Sequence, residues 1–266
     1  MVVEPGFLLV NKPKNVSSFS CVAHIKRLLP KKTKVGHAGT LDPFAQGLLI
    51  LGVGREATRT MSALMKLDKV YVAIGKLGER TDTLDNTGRI IETADVAITR
   101  QQLKGAIASL GTGYMQMPPV YSALKYQGMP LYALARKQLI TPDELDTIVA
   151  QKRRHVTLHA VELLAFEFPY FTIQAHVSHG TYVRSLIDDI AVRAGSCATT
   201  HALERIAIGP WDLREAHAVT DLIDNDQLQT LMVRGDCKNI SEYLVCNNSA
   251  RSDPSILRYT ASRHSG

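Results

Sequence analysis

The order in which strand-like and helix-like stretches succeed one another is the strongest constraint on what this chain can fold into. Val70, Val72 and Ile74 alternate with Tyr71, Ala73 and Gly75, a period of two that marks a strand and sets Tyr71 on the face opposite the branched residues. Further strands are expected around Phe7 to Val10, Leu48 to Leu51, Val156 to Leu164, Phe171 to Val177 and Arg205 to Ile208. Helices are expected after Ser17 and Ser18, with Val22, Ile25 and Leu29 as apolar positions and Pro30 as the stop, and after Thr99, where Gln102 completes a capping box. A third runs from Val183, with Leu186, Ile187, Ile190, Ala191 and Ala194 on one face and Gly195 as terminator. These segments do not follow one another as regular βαβ units. The expected class is therefore α+β, with a mixed, mainly antiparallel sheet and flanking helices.

At 266 residues and 45% hydrophobic, the chain can bury one large core or a core plus a small appendage. Lys and Arg exceed Asp and Glu by six, which favours a polyanionic partner such as nucleic acid. The four cysteines, Cys21, Cys197, Cys237 and Cys246, include no C-x-x-C pair and fit reduced thiols in a cytoplasmic protein. The N-terminus lacks the basic lead-in and sustained apolar run of a secretory signal, and no stretch approaches the ~20 apolar residues of a membrane span.

Candidate chemistry centres on the loop Gly36-His-Ala-Gly-Thr-Leu-Asp-Pro43, punctuated by two glycines and a proline. Asp42, before Pro43, reads either as the start of an Asx-turn or as a reactive carboxylate. Arg184 lies off the apolar face of its helix and near the start, where the macrodipole disfavours a cation, so it needs an acid. That acid is either Asp188, at i+4, or a carboxylate from elsewhere. Tyr71 reads as a packed aromatic or as a platform for a flipped base. His37 is a loop histidine without a role, a metal ligand, or a side chain inserted into nucleic acid. Metal chemistry has little to stand on, because no H-E-x-x-H occurs and His37 with Asp42 lacks a third ligand nearby in sequence. Gly52-Val-Gly54-Arg-Glu-Ala57 matches the dinucleotide fingerprint G-x-G-x-x-A, but the acid and the βαβ units that should follow are missing.

Over about residues 6 to 220 the chain resembles the TruB family of tRNA pseudouridine synthases. The resemblance rests on Leu9-Val-Asn-Lys-Pro13, Val35 to Gly47, Lys69-Val-Tyr71, Arg80-Thr-Asp-Thr-Leu-Asp85 with Gly88, Gln116 to Lys125, Gly128 with Leu131-Tyr132 and Ala135-Arg136, and Ser178-His-Gly-Thr-Tyr-Val-Arg184, in that order. It implies isomerisation of the uridine at position 55 in the T-loop of tRNA, with Asp42 as the catalytic carboxylate, Tyr71 against the base and Arg184 as the partner of Asp42. It further implies RNA contacts from His37, Lys12, Pro13, Tyr182, Leu203, Lys125 and Arg136. Neither metal nor nucleotide cofactor is implied, and the expected state is a cytoplasmic monomer with tRNA as partner and no membrane.

The organisation expected on this basis is a catalytic domain over 1–220 with a thumb-like insertion at about 120–153, a short helical extension over 221–246 and a flexible tail over 247–266, without a full RNA-binding module of the PUA type. His179 stands where the family commonly has lysine, and Glu204 where arginine is common, which lowers the expected RNA affinity. A tRNA-folding chaperone and a nucleotide-dependent oxidoreductase are the alternatives.

Overall fold

A computed structural model of the chain describes residues 3–233. The first half contributes β1 (Gly6–Lys12), α1 (Ser18–Leu28), β2 (Val35–Ala38), β3 (Gln46–Val53), α2 (Gly54–Met65), β4 (Lys69–Leu77), β5 (Glu79–Thr81), β6 (Ile90–Thr93) and α3 (Arg100–Ser109). There follow β7 (Gly113–Gln116), β8 (Lys125–Tyr126), β9 (Met129–Pro130), α4 (Leu131–Arg136), α5 (Pro142–Gln151), β10 (Arg154–Glu167) and β11 (Tyr170–Val177). The last described elements are α6 (Val183–Ala194), β12 (Ala198–Ile208), β13 (Trp211–Asp212), β14 (His217–Ala218) and α7 (Asn225–Leu231). The rest of the extension expected over 221–246, the tail expected over 247–266, Cys237 and Cys246 lie outside the described residues.

One sheet dominates, in the order β14-β1-β3-β12-β4-β11-β10-β7, with β2 on β3 and β13 on β12. Its pairings are antiparallel except β1 with β14 and β3 with β12, so the mixed, mainly antiparallel class expected from the sequence is what forms. The capping signals act as expected. Ser17 caps α1, and Thr99 and Gln102 form the full capping box of α3. Gly195 takes a φ of 94° at the end of α6, where an L side chain would be strained.

Tyr71 faces the main core with Ala73 and Leu77, against Phe171 and the inner face of α6, rather than standing on a secondary face. The small residues on this face explain why α6 can come so close. A Cβ on Gly75 would lie 2.4 Å from the Phe171 ring and 2.9 Å from Ile187. The dinucleotide reading also fails here on steric grounds. Although β3 runs into α2 as that motif requires, a Cβ on Gly52 would meet Met61 at 2.3 Å and one on Gly54 would meet Pro5, so protein fills the space a pyrophosphate needs.

The edge of β3 nearest the loop is shared between two strands. Its residues 50–53 pair with β2, and Gln46 and Gly47 pair with Glu204 and Arg205 of β12. Residues 35–38, expected as part of a loop, are a strand because they occupy half of that edge. The chain from Gly39 to Ala45 must therefore leave the sheet where β12 takes over.

Between β7 and β10, which pair with each other from Gln116↔Arg154 onward, residues 117–153 make an excursion from the sheet. It has its own small core of Leu131, Leu134, Leu145, Ile148 and Val149.

Gly47 closes the shared edge at φ 111°, and a Cβ there would come within 2.4 Å of the Arg205 carbonyl oxygen. Backbone cannot yield as a side-chain tip can. Gly47→Ala is expected to lower stability by about 3 kcal/mol in urea denaturation; a change near zero would contradict this packing.

Candidate active site

The loop from Gly39 to Ala45 is pinned from below by cations. Lys12 is fully buried, and its ammonium donates to the carbonyls of Ala45 at 2.6 Å, Val16 at 2.7 Å, Pro13 at 2.9 Å and Pro43 at 3.4 Å. Burial pulls its pKa down to about 8, against the pull of nearby Asp42 and Cys21. Arg205, also buried, donates to Leu48 on β3 at 2.8 Å and to Gly39 at 3.1 Å, plugging the place where the β3 edge changes hands. Ser18 exchanges two hydrogen bonds with the Leu41 backbone. Ala45 N–H closes the turn on the Asp42 carbonyl at 3.1 Å.

The Asp42 carboxylate is thus free to reach Arg184, whose Nε lies 2.8 Å away. The open choice of partner for Arg184 is resolved by Arg80, which takes Asp188 with Nε 3.0 Å from both carboxylate oxygens. Arg184 is only 4% exposed and spends its other donors on Thr83 O at 2.6 Å and Tyr121 O at 2.9 Å, with Asp85 at 3.5 Å. Asp85 is itself buried, and its Oδ1 accepts from Thr87 N–H at 3.0 Å and from the hydroxyls of Thr83 and Thr87. A charge-assisted fork with every arm engaged holds the Asp42 carboxylate in one direction.

The start of α6, which carries Arg184, is fixed by Gln116. Its buried amide accepts from Tyr182 N–H at 2.8 Å and donates to Tyr182 O at 3.1 Å. The same amide donates to the Tyr114 hydroxyl, which in turn donates to Asp189 at 2.5 Å; burial pushes the Asp189 carboxyl up to about 6.

These elements enclose a cavity of about 320 Å³. Asp42, Tyr71, Tyr182, Arg184 and Leu203 line it, which brings five of the sequence-predicted residues together. Arg154 stacks over the Tyr182 ring, 4.9 Å from its centroid, and hydrogen bonds to Gly180 O. Lys69, Arg154, His179 and Arg205 also line the wall. Lys69 is buried, caps the carbonyls of Met65 and Leu67, and is pulled down to about 8 by that burial.

The remaining predicted residues lie elsewhere. Lys12 and Pro13, implied as RNA contacts, do not line the cavity, and the Lys12 ammonium is spent on carbonyls beneath the loop. His37 sits on β2 opposite Leu51, half-buried, with Nδ1 buried and making no hydrogen bond; burial and the Arg205 charge lower its pKa. Lys125 and Arg136 are exposed on the 117–153 excursion. Glu204 accepts from Gln46 at 2.8 Å. Sequence reasoning gave no role to Asp85, Gln116, Lys69 or Arg205. A lone buried cation among strand residues, such as Arg205 beside Ile206, was the available signal for the last. Among the described residues, the one grouping of three potential metal ligands lies outside this cavity, and no helix is long and apolar enough to cross a membrane.

A family model described as the N-terminal domain of TruB family pseudouridylate synthases matches residues 26–183. A tRNA pseudouridine synthase B of Syntrophotalea carbinolica is 43% identical over 212 residues, covering 79% of this chain and 66% of that protein. The protein of the same name in Pasteurella multocida is 35% identical over 247 residues, 93% of this chain and 75% of that one. Among solved structures, a chain of a Cbf5-Nop10-Gar1 complex superposes with a TM-score of 0.60 at 26% identity, covering 82% of this chain and 53% of that chain. The chain spans 66% of the first of these relatives and about half of the solved chain.

Two outcomes follow from the buried cations. Arg184→Lys keeps the charge but not the fork, leaving Asp85 and two carbonyls short of a donor, and is expected to cost about 3 kcal/mol in urea denaturation. Lys69 loses its proton near 8 in the folded chain and near 10.5 in the unfolded one, so between these values the unfolded chain binds more protons. The contribution of Lys69 to stability therefore rises with pH across that window. The stability difference between the parent and Lys69→Met should grow in favour of the parent from about pH 8 to about pH 10; a flat difference would show that Lys69 is not depressed.

Proposed function

The chain belongs to the TruB family of pseudouridylate synthases, and on that premise we propose that it isomerises uridine to pseudouridine at position 55 in the T-loop of tRNA. The observation that carries this reading is a carboxylate, Asp42, held 2.8 Å from a buried guanidinium in a cavity lined by Tyr71 and Leu203. The reaction breaks the N1–C1′ bond, turns the base and joins C5 to C1′, with no redox change; C5 gives up a proton and N1 takes one up. Chemistry of this kind needs no cofactor. A carboxylate fixed beside C1′ and C6 serves attack on C6, attack on the sugar, or removal of a sugar proton. In this reading Arg184 holds and aims the Asp42 carboxylate.

A stacked base cannot be reached inside a folded loop and has to be flipped out, at a cost of a few kcal/mol. Tyr71 then offers the face on which uracil stacks, with Tyr182 and Leu203 around it. His37 is the proposed side chain that holds the emptied position open. Lys125 and Arg136 grip the RNA from the excursion, which acts as a thumb over about 120–153 within a catalytic unit of residues 1–220. Lys26, Arg27, Lys31, Lys32 and Lys34, with Lys152 and Arg153, add phosphate contacts, so affinity falls as salt rises. The working unit is a single chain acting on tRNA in the cytoplasm.

The test is incubation of the purified chain with an unmodified tRNA transcript and chemical mapping of pseudouridine, with Asp42→Asn in parallel. Conversion of the T-loop uridine by the parent is expected, with the variant slower by at least about a thousandfold at unchanged tRNA affinity. A parent that binds tRNA without converting it would sink the proposal.

A further inference from the structure

Three residues far apart in sequence meet on the face of the sheet turned away from α6. Asp68 precedes β4 by one residue and lies two positions before Val70, which places it on the same strand face as Val70 and Val72. His176 on β11 pairs directly with Val70. On β10 the register slips between Leu158 and Ala160, and His159 is the extra residue of that bulge, so it turns outward beside His176 instead of following the alternation. The result spans three adjacent strands. One ligand atom from each of Asp68, His159 and His176 lies within 4.8 Å of the others.

The three side chains are in direct contact. His159 Nε2 stands 3.1 Å from the Asp68 carboxylate, and the two imidazole rings are 4.6 Å apart at a tilt of 44°. An ion pair alone needs one histidine; the His176 ring, beside which the bulge sets His159, has no part in it. The Asp68 carbonyl accepts from Gly209 N–H at 2.9 Å, which fixes the backbone from which the carboxylate projects.

We propose that Asp68, His159 and His176 bind one divalent transition-metal ion of the zinc class, with two imidazoles and a carboxylate as ligands and the fourth position open to solvent. Imidazole and carboxylate together suit zinc, nickel or copper rather than magnesium or calcium. Metal–ligand bonds of about 2.0–2.2 Å put tetrahedral ligand atoms roughly 3.4 Å apart. The trio closes to that spacing by at most about 1.4 Å, which the partly exposed Asp68 and His159 side chains can supply by small rotamer changes. The ion fastens β4, β11 and β10 on their outer face, next to Lys69 at the cavity wall. The proposal is independent of the pseudouridine reading.

The test uses the full-length chain without an affinity tag, stripped with a chelator and titrated with Co²⁺, then with Zn²⁺ in competition. His159→Ala and His176→Gln are run alongside, since nine histidines in the chain make stoichiometry alone uninformative. One saturable Co²⁺ band, displaced by Zn²⁺, and a zinc-dependent rise in the thermal midpoint are expected in the parent, with affinity falling about tenfold or more in each variant. His159 is exposed, so His159→Ala keeps the comparison valid even where His176→Gln unfolds. Absence of saturable binding in the parent, or binding and thermal shift unchanged in His159→Ala, would overturn the assignment.

Discussion

The rest of the site depends on the burial of the Arg184 guanidinium. A cation taken out of water costs several kcal/mol unless every donor is met, and here the acceptors come from Asp42, from Thr83 and Asp85, and from Tyr121, three segments remote from one another in sequence. Each part has its own support. The loop needs Lys12 and Arg205 beneath it, the turn at Asp85 needs Thr83 and Thr87, and α6 needs Gln116 to hold its first turn. The carboxylate at the cavity is therefore oriented by the whole assembly, which is what a reaction controlled by positioning requires.

The same accounting changes the meaning of the net charge. An excess of six basic residues suggested a surface for a polyanion, but Lys12, Lys69, Arg184 and Arg205 are buried and consumed by backbone carbonyls and carboxylates. Part of the basic composition is internal scaffolding. Among the described residues, the exposed basic side chains that remain free for phosphates include Lys26, Arg27, Lys31, Lys32 and Lys34 around the end of α1, and Lys152 and Arg153.

Much of the fold was legible because it rests on local rules. The capping box at Thr99 and Gln102, the Ser17 cap, the apolar face from Val183 to Ala194 and the αL glycine at 195 each involve residues within a turn of one another. What was not legible is decided by partners remote in sequence. Residues 35–38 are a strand only because β12 leaves half of the β3 edge unoccupied, and the face of Tyr71 is the core because Gly75 and Phe171 admit α6 there. For the site, spacing alone left Arg184 divided between Asp188 and a distant acid. Arg80, more than a hundred residues earlier, made the difference by taking Asp188. The burial of Lys12 was not legible either, because nothing local tells a lysine at a surface from one consumed beneath a loop.

The excursion over residues 117–153 is closed at its base by the β7–β10 ladder and carries its own core, yet the Tyr121 carbonyl ties it to the guanidinium that holds Asp42. Displacing the start of that segment withdraws an acceptor from Arg184 and loosens the fork. The position of the excursion and the aim of the carboxylate are therefore linked through a single backbone oxygen.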